Sequence, residues 1–145
     1  DLKLNYITIH ISSGLKAIKA VKKASGSTKI VGVTILTSLD NKSLKEIGFD
    51  KNVKKLVTHQ AKLAVKAKLD AIVCSPQEVK LVKKIFKKEI ITPGIRLAGD
   101  SKGDQRRVMT PKQAFQNGAT SLVMGRSLIK GKIEQNIKKL EKELS

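Results

Sequence analysis

The chain has 145 residues, of which 40% are hydrophobic, so it is long enough for one globular domain with a hydrophobic core. No apolar run reaches the roughly 18 residues that a membrane-spanning helix needs. The net charge of +18 suggests nucleic-acid binding, but the lysines are scattered over every predicted helix and only four residues are aromatic, which argues against that class.

Short apolar runs alternate with amphipathic stretches along the chain. The runs predict β-strands at residues 6–11, 29–36, 71–74, 89–95 and 121–124. Such continuous apolar strands are typical of parallel sheets that are buried on both faces. Apolar residues at helical spacing predict helices around residues 15–21, 53–64, 79–86 and 133–144. The alternation therefore predicts an α/β fold with a parallel sheet.

The spacing of the strands is typical of a (β/α)8 barrel. A complete barrel needs about 250 residues, so this chain is expected to form a partial barrel of about five βα units. A doubly wound open sheet needs no further strands and stays as the alternative, although no G-x-G-x-x-G follows the first strand. We treat residues 1–145 as a single, incomplete domain.

Residues suited to binding phosphate follow the last two predicted strands. Pro93-Gly94-Ile95-Arg96 ends one strand, Met124-Gly125-Arg126 ends the other, and Gln105 lies in the polar loop between them. Glycine lets backbone N–H groups approach a phosphate, arginine binds its oxygens in pairs, and an amide adds a neutral donor. An ordinary loop explains any one of them equally well, but their joint spacing favours a phosphate monoester.

The remaining reactive residue types indicate no further site. Cys74 cannot form an internal disulfide and has no Cys/His cluster for zinc around it, so we expect it to pack in a strand. His10 is expected in the core and His59 on the surface. The sequence starts without a signal-peptide pattern, so we expect a cytoplasmic protein that binds neither nucleic acid nor membranes.

Several blocks of the chain resemble the orotidine 5′-phosphate decarboxylase family. They are the phosphate stretch and the segments 7–10, 33–38, 69–78 and 107–111. The resemblance implies a (β/α)8 barrel, with the present strands as the fourth to the eighth. It also implies decarboxylation of orotidine monophosphate to UMP and CO2 in pyrimidine biosynthesis, without metal or organic cofactor, by a homodimer.

The resemblance also assigns roles to individual residues. By position, Arg96, Gln105, Gly125 and Arg126 would contact the substrate phosphate, and Thr37 would contact the base or the ribose. Energy gained at a remote phosphate can be used at the reacting centre, so loss of Arg126 is expected to harm turnover as well as affinity.

The catalytic sequence of the family is matched only at its beginning. In the family, the lysine of a D-x-K-x-x-D sequence protonates the carbanion left by CO2. Here Asp1 and Lys3 match its first half, whereas Tyr6 stands at the second aspartate position. The family places a helix where this chain joins Leu4 to Asn5.

Three explanations for Asp1 and Lys3 stay open. The triplet is a coincidence, or residues of a longer protein are omitted and Lys3 is the proton donor with Asp1 as its charge partner, or the gene has lost this region. In each case we predict that this chain alone has no decarboxylase activity. The alternatives to a decarboxylase segment are a non-catalytic remnant that binds a nucleotide or phosphate, and a basic nucleic-acid-binding protein.

Three substitutions depart from the family pattern. Leu97 and Ser127 stand where prolines are common, and Lys68 stands where a glycine is usual. Loss of each proline is expected to loosen the phosphate loops by up to about 1 kcal/mol. The open sheet edges of a partial barrel also make a covering partner chain an expected feature.

Overall fold

The computed structural model describes residues 3–101 and 107–145. Within these residues, one parallel sheet contains the strands β1 (Tyr6–His10), β2 (Lys29–Val33), β3 (Ala71–Val73), β4 (Glu89–Thr92) and β5 (Ser121–Leu122), in that order. The predicted strands are confirmed, and each ends a little sooner than expected. A doubly wound sheet reverses its strand order at one point, so the sequential order contradicts that alternative.

Helices occupy the connections between the strands and follow the last one. They are α1 (Leu15–Ala24), α2 (Asn41–Glu46), α3 (Val53–Lys66), α4 (Val79–Ile85), α5 (Pro111–Asn117), α6 (Arg126–Ile129) and α7 (Ile133–Leu144). Apolar spacing had predicted α1, α3, α4 and α7. In the described ranges, none of the helices has both the length and the apolar character required to cross a bilayer.

A side-chain contact on one face shows that the sheet is curved. In a flat sheet, β1 and β4 would lie about 14 Å apart, because neighbouring strands are about 4.8 Å apart. The Tyr6 hydroxyl of β1 nevertheless donates a hydrogen bond of 3.0 Å to Glu89 Oε2 of β4. Ser121 of β5 donates to the other oxygen of Glu89 at 3.0 Å. The five strands therefore form an arc, as expected for part of a barrel.

The hydrophobic core lies between the central strands and the helices that cover them. Ile30, Ile72 and Ile90, from β2, β3 and β4, are at most 1% exposed and belong to one cluster with Val57 of α3 and Val82 of α4. The core is therefore centred on β2, β3 and β4 and on the helices α3 and α4.

The first strand is an exposed edge. Tyr6 and Ile7 are 43% and 41% exposed, and His10 is exposed as well. The expectation of a buried histidine is therefore wrong, because within the described residues β1 has a neighbouring strand on one side only. His59 is exposed, and Cys74 is buried, as expected.

Candidate phosphate-binding site

The two arginine segments predicted to bind phosphate lie at one edge of the sheet. β4 and β5 are paired parallel neighbours. Gly94 and Arg96 follow the end of β4, and Gly125 and Arg126 follow the end of β5. Parallel strands present their carboxyl ends at the same edge, which is where ligands bind in barrels of this kind. The fold therefore brings together the segments that the sequence had paired.

A cavity of about 550 Å³ lies between the two segments. Among the described residues that line it, four side chains are cationic and one is a carboxylate, Asp100. The cationic residues are Arg96, Arg126, Lys130 and Lys139. An excess of positive charge around a concave site attracts anions and raises their local concentration. The cavity therefore suits a phosphate group.

Arg96 is held in place by both its backbone and its side chain. The residue is 8% exposed, and its Nη1 donates to the carbonyl oxygen of Ile95 at 2.8 Å. Its backbone N–H donates to the oxygen of Met109 at 3.1 Å, and the N–H of Met109 donates to the oxygen of Gly94 at 3.2 Å. These two backbone bonds close the base of the phosphate loop.

The end of β5 offers open space and a buried hydroxyl. A Cβ built at Gly125 would meet no atom within 4 Å, and the exposed Arg126 begins α6 beside it. Ser127 is 7% exposed, and its Oγ has no hydrogen-bond partner in the part of the chain that the structure describes. Burying an unpaired hydroxyl is unfavourable, so a phosphate oxygen at this position would satisfy it.

From the sequence, Ser127 and Leu97 were notable only as residues that replace prolines common in the family. Both side chains are buried, at 7% and 6% exposure. Ser127 also lines the cavity. The loosening that we expect from the two substitutions stays a prediction.

Thr37 lies close to the phosphate segment. It is 8% exposed and follows β2 in a loop that lines a second cavity of about 240 Å³ with Cys74 and Pro93. A Cβ built at Gly94 would lie 3.4 Å from Thr37 Cγ2. A contact with the other end of a bound nucleotide is compatible with this position.

Burial raises the pKa of the neighbouring Cys74 thiol to about 12, so it stays protonated near neutral pH.

Lys3 lies at the opposite edge of the sheet from the cavity. It is exposed and precedes β1, whereas the phosphate segments follow the carboxyl ends of β4 and β5. In this contiguous chain, Lys3 is therefore not brought to the phosphate site, and its role as proton donor stays a prediction. Asp1 and Gln105 lie outside the described residues.

Arg107, which begins one of the blocks that resemble the family, forms a buried ion pair. Its Nη1 lies 2.6 Å from Glu78 Oε2, and the two side chains are 8% and 5% exposed. The sequence could not reveal this pair, because the two residues meet only through the packing of β4 and its following loop against α4.

Comparison with known proteins identifies the family of the chain. The model of the orotidine 5′-phosphate decarboxylase / HUMPS family matches residues 1–139. The chain belongs to this family. A relative from Prochlorococcus marinus, an orotidine 5′-phosphate decarboxylase, is 45% identical over 152 aligned positions that cover 97% of this chain and 62% of the relative. One from Erythrobacter litoralis is 47% identical over 86% of this chain and 56% of its own length.

Solved structures in the family confirm the partial barrel. The orotidine 5′-phosphate decarboxylase from Lactobacillus acidophilus superimposes with a TM-score of 0.78 at 27% identity, over 97% of this chain and 63% of that structure. The enzyme from Methanocaldococcus jannaschii, solved in complex with the inhibitor BMP, shares the fold at 20% identity, with a TM-score of 0.70. The chain thus spans about three fifths of the length of its decarboxylase relatives.

The alignment with the Prochlorococcus relative is longer than this chain. It runs over 152 positions with the Prochlorococcus relative, which is more than the 145 residues of the chain. That relative therefore has residues inside the matched region that this chain lacks.

Proposed function

We propose that this chain provides the phosphate-binding half of an orotidine 5′-phosphate decarboxylase, which converts orotidine monophosphate to UMP and CO2. The observation that carries the proposal is the cavity shared by Arg96 and Arg126 at adjacent strand ends. Decarboxylase relatives at 45–47% identity support the substrate. Activity requires the part of the barrel that this chain lacks, and Lys3 would be the proton donor only in that completed site.

Titration calorimetry with UMP and uridine tests the binding half of the proposal. A charge-assisted hydrogen bond contributes about 1.5–3 kcal/mol, so Arg126→Ala should weaken UMP binding roughly tenfold or more. The affinity for uridine, which has no phosphate, should not change in this variant. Lys112→Ala removes an equal charge from the exposed face of α5 and serves as the control. Equal weakening of UMP and uridine by Arg126→Ala would contradict a phosphate contact.

A non-catalytic remnant that binds a nucleotide is the second candidate function. The position of Lys3 at the edge of the sheet opposite the cavity favours it. Such a remnant would bind UMP in the same way, so the two candidates separate only in an assay of decarboxylation with the missing part supplied.

A homodimer in the cytoplasm remains part of the proposal. The edge at β1 supports a covering partner, because within the described residues β1 pairs with a strand on one side only and exposes apolar side chains such as Ile7. Light scattering during size-exclusion chromatography would measure the mass of the assembly.

A further inference from the structure

Arg107 and Glu78, which form an ion pair, line a separate cavity of about 610 Å³, and Arg107 also contacts two other loops. Besides Glu78, the guanidinium contacts two backbone carbonyls: its Nη2 donates to the oxygen of Leu36 at 2.7 Å and to that of Ile35 at 3.2 Å. These are the two residues immediately before Thr37. The side chain of Arg107 therefore holds the loop that carries Thr37.

The backbone of Arg107 packs against the phosphate strand end. A Cβ built at Gly94 would lie 3.0 Å from the carbonyl oxygen of Arg107 and 3.4 Å from Thr37 Cγ2. Gly94 also has a φ of +77°, which glycine adopts readily. Two residues after Arg107, Met109 bonds the backbone of Gly94 and Arg96. One short segment thus contacts both predicted substrate-binding regions.

Stability alone does not explain the pair. Replacing a buried ion pair with apolar residues of similar volume is often neutral or stabilising. In addition, the Nε of Arg107 is buried without a hydrogen-bond partner among the residues that the structure describes, which is unfavourable. A planar guanidinium is, however, suited to reaching three acceptors in fixed directions, which a lysine ammonium cannot do with the same geometry.

We propose that Arg107 and Glu78 are positioning residues that hold the Thr37 loop (residues 35–37) and the phosphate strand end (residues 94–96) in a fixed relation. The inference rests on the proposed function. A nucleotide has a fixed distance between its phosphate and its base, so a site that recognises both ends gains from rigid spacing between the two loops. Neither side chain needs to contact the nucleotide for this effect.

Two variants of this chain separate an effect on loop position from an effect on stability. Arg107→Met leaves Glu78 buried and unpaired, so it should lower the unfolding midpoint, whereas Arg107→Met with Glu78→Leu should restore it. If the pair positions the loops, both variants bind UMP about tenfold more weakly. The N–H of Leu39 donates to the oxygen of Leu36 at 3.0 Å, the same oxygen that Arg107 binds. In both variants, amide hydrogen exchange at Leu39 should also be about tenfold faster without ligand, because the loop opens locally more often.

The control is Val82→Ala. Val82 is a buried core residue of α4, so this variant leaves a cavity in the core but removes no hydrogen bond to either loop. It should lower the midpoint and leave UMP affinity and loop exchange nearly unchanged. The inference would be overturned if the double variant recovered UMP affinity and slow loop exchange along with its unfolding midpoint. If the unaltered protein does not bind UMP, the proposed function fails, and the exchange rates alone decide whether the pair positions the loops.

Discussion

Lys68 has a backbone conformation that disfavours its own side chain. Its φ is +56°, in the left-handed region, and the N–H groups of Lys68 and Leu69 donate to the carbonyls of Val65 and Ala64 in a Schellman arrangement at the end of α3. Glycine is the usual residue at this position in such a cap. The structure thus explains why the family pattern has a glycine at this position, where this chain has a lysine.

Lys68→Gly should therefore stabilise the protein. Relief of the left-handed strain, less the entropy that glycine adds to the unfolded chain, should raise the free energy of unfolding by about 0.5–1 kcal/mol. Urea unfolding followed by circular dichroism measures it. Lys66→Gly, in the last helical turn of α3, is the matched control and should lower stability by about 1 kcal/mol. A loss of stability in both variants would contradict the strain at Lys68.

At this scale, residue type and spacing predicted part of the site. Arg96 and Arg126 follow neighbouring strands, so their approach could be expected from the sequence alone. Two features could not be expected: the buried Oγ of Ser127, which has no hydrogen-bond partner among the described residues, and the pair of Arg107 with Glu78. Both depend on how a loop and two helices pack in three dimensions. His10 was misjudged because an apolar strand does not reveal whether it lies at the edge of a sheet.

Among the elements, α1, β2 and β3 are connected through one carboxylate. Asp70, which precedes β3, accepts a hydrogen bond of 2.6 Å from Lys22 of α1 and one of 2.8 Å from the N–H of Ile30 in β2. Partial burial by itself would raise the pKa of Asp70. The two hydrogen bonds favour the ionised form and lower the pKa below its ordinary value of 3.8.

This lowered pKa predicts an acid-dependent loss of stability. A carboxylate with a lower pKa in the folded state contributes fully above its unfolded pKa, and the contribution disappears as the pH falls below 3.8 through the folded value. At pH 6, Asp70→Asn should cost about 1–2 kcal/mol, and its difference from the unaltered protein should shrink towards pH 3. Urea unfolding at both pH values measures this, with Glu46→Gln on the exposed face of α2 as the control. A difference that is independent of pH would exclude the contribution.

The helices differ in how well their sequences predict them. The longest, α3, shows a regular apolar repeat, so its prediction was straightforward. The short α2 and α5 have no room for such a repeat and begin instead at local caps: Asp40 accepts from the N–H of Ser43, and Thr110 forms a capping box with Gln113. These two helices were not predicted, because only their cap residues mark them in the sequence.

For the whole molecule, the arc of five strands predicts that catalysis needs a second piece of chain. We expect no UMP formation by this chain alone. Formation should appear when it is mixed with the remaining N-terminal units of the Prochlorococcus marinus relative, and should fall strongly with Arg126→Ala in this chain. Release of CO2 from orotidine monophosphate measures the reaction. Activity of the chain alone would contradict the prediction, and an inactive mixture that forms a stable complex would favour the remnant.

The sequential order of the strands has a consequence for how the protein assembles on the ribosome. Paired residues in the sheet are separated by between 18 and 40 positions, as in Ala71 with Glu89 and Val31 with Ala71. Each strand therefore needs only the strand made just before it, and the sheet can grow from one edge during synthesis. A sheet whose order reverses must wait for a later strand, whereas this one can form in the direction of translation.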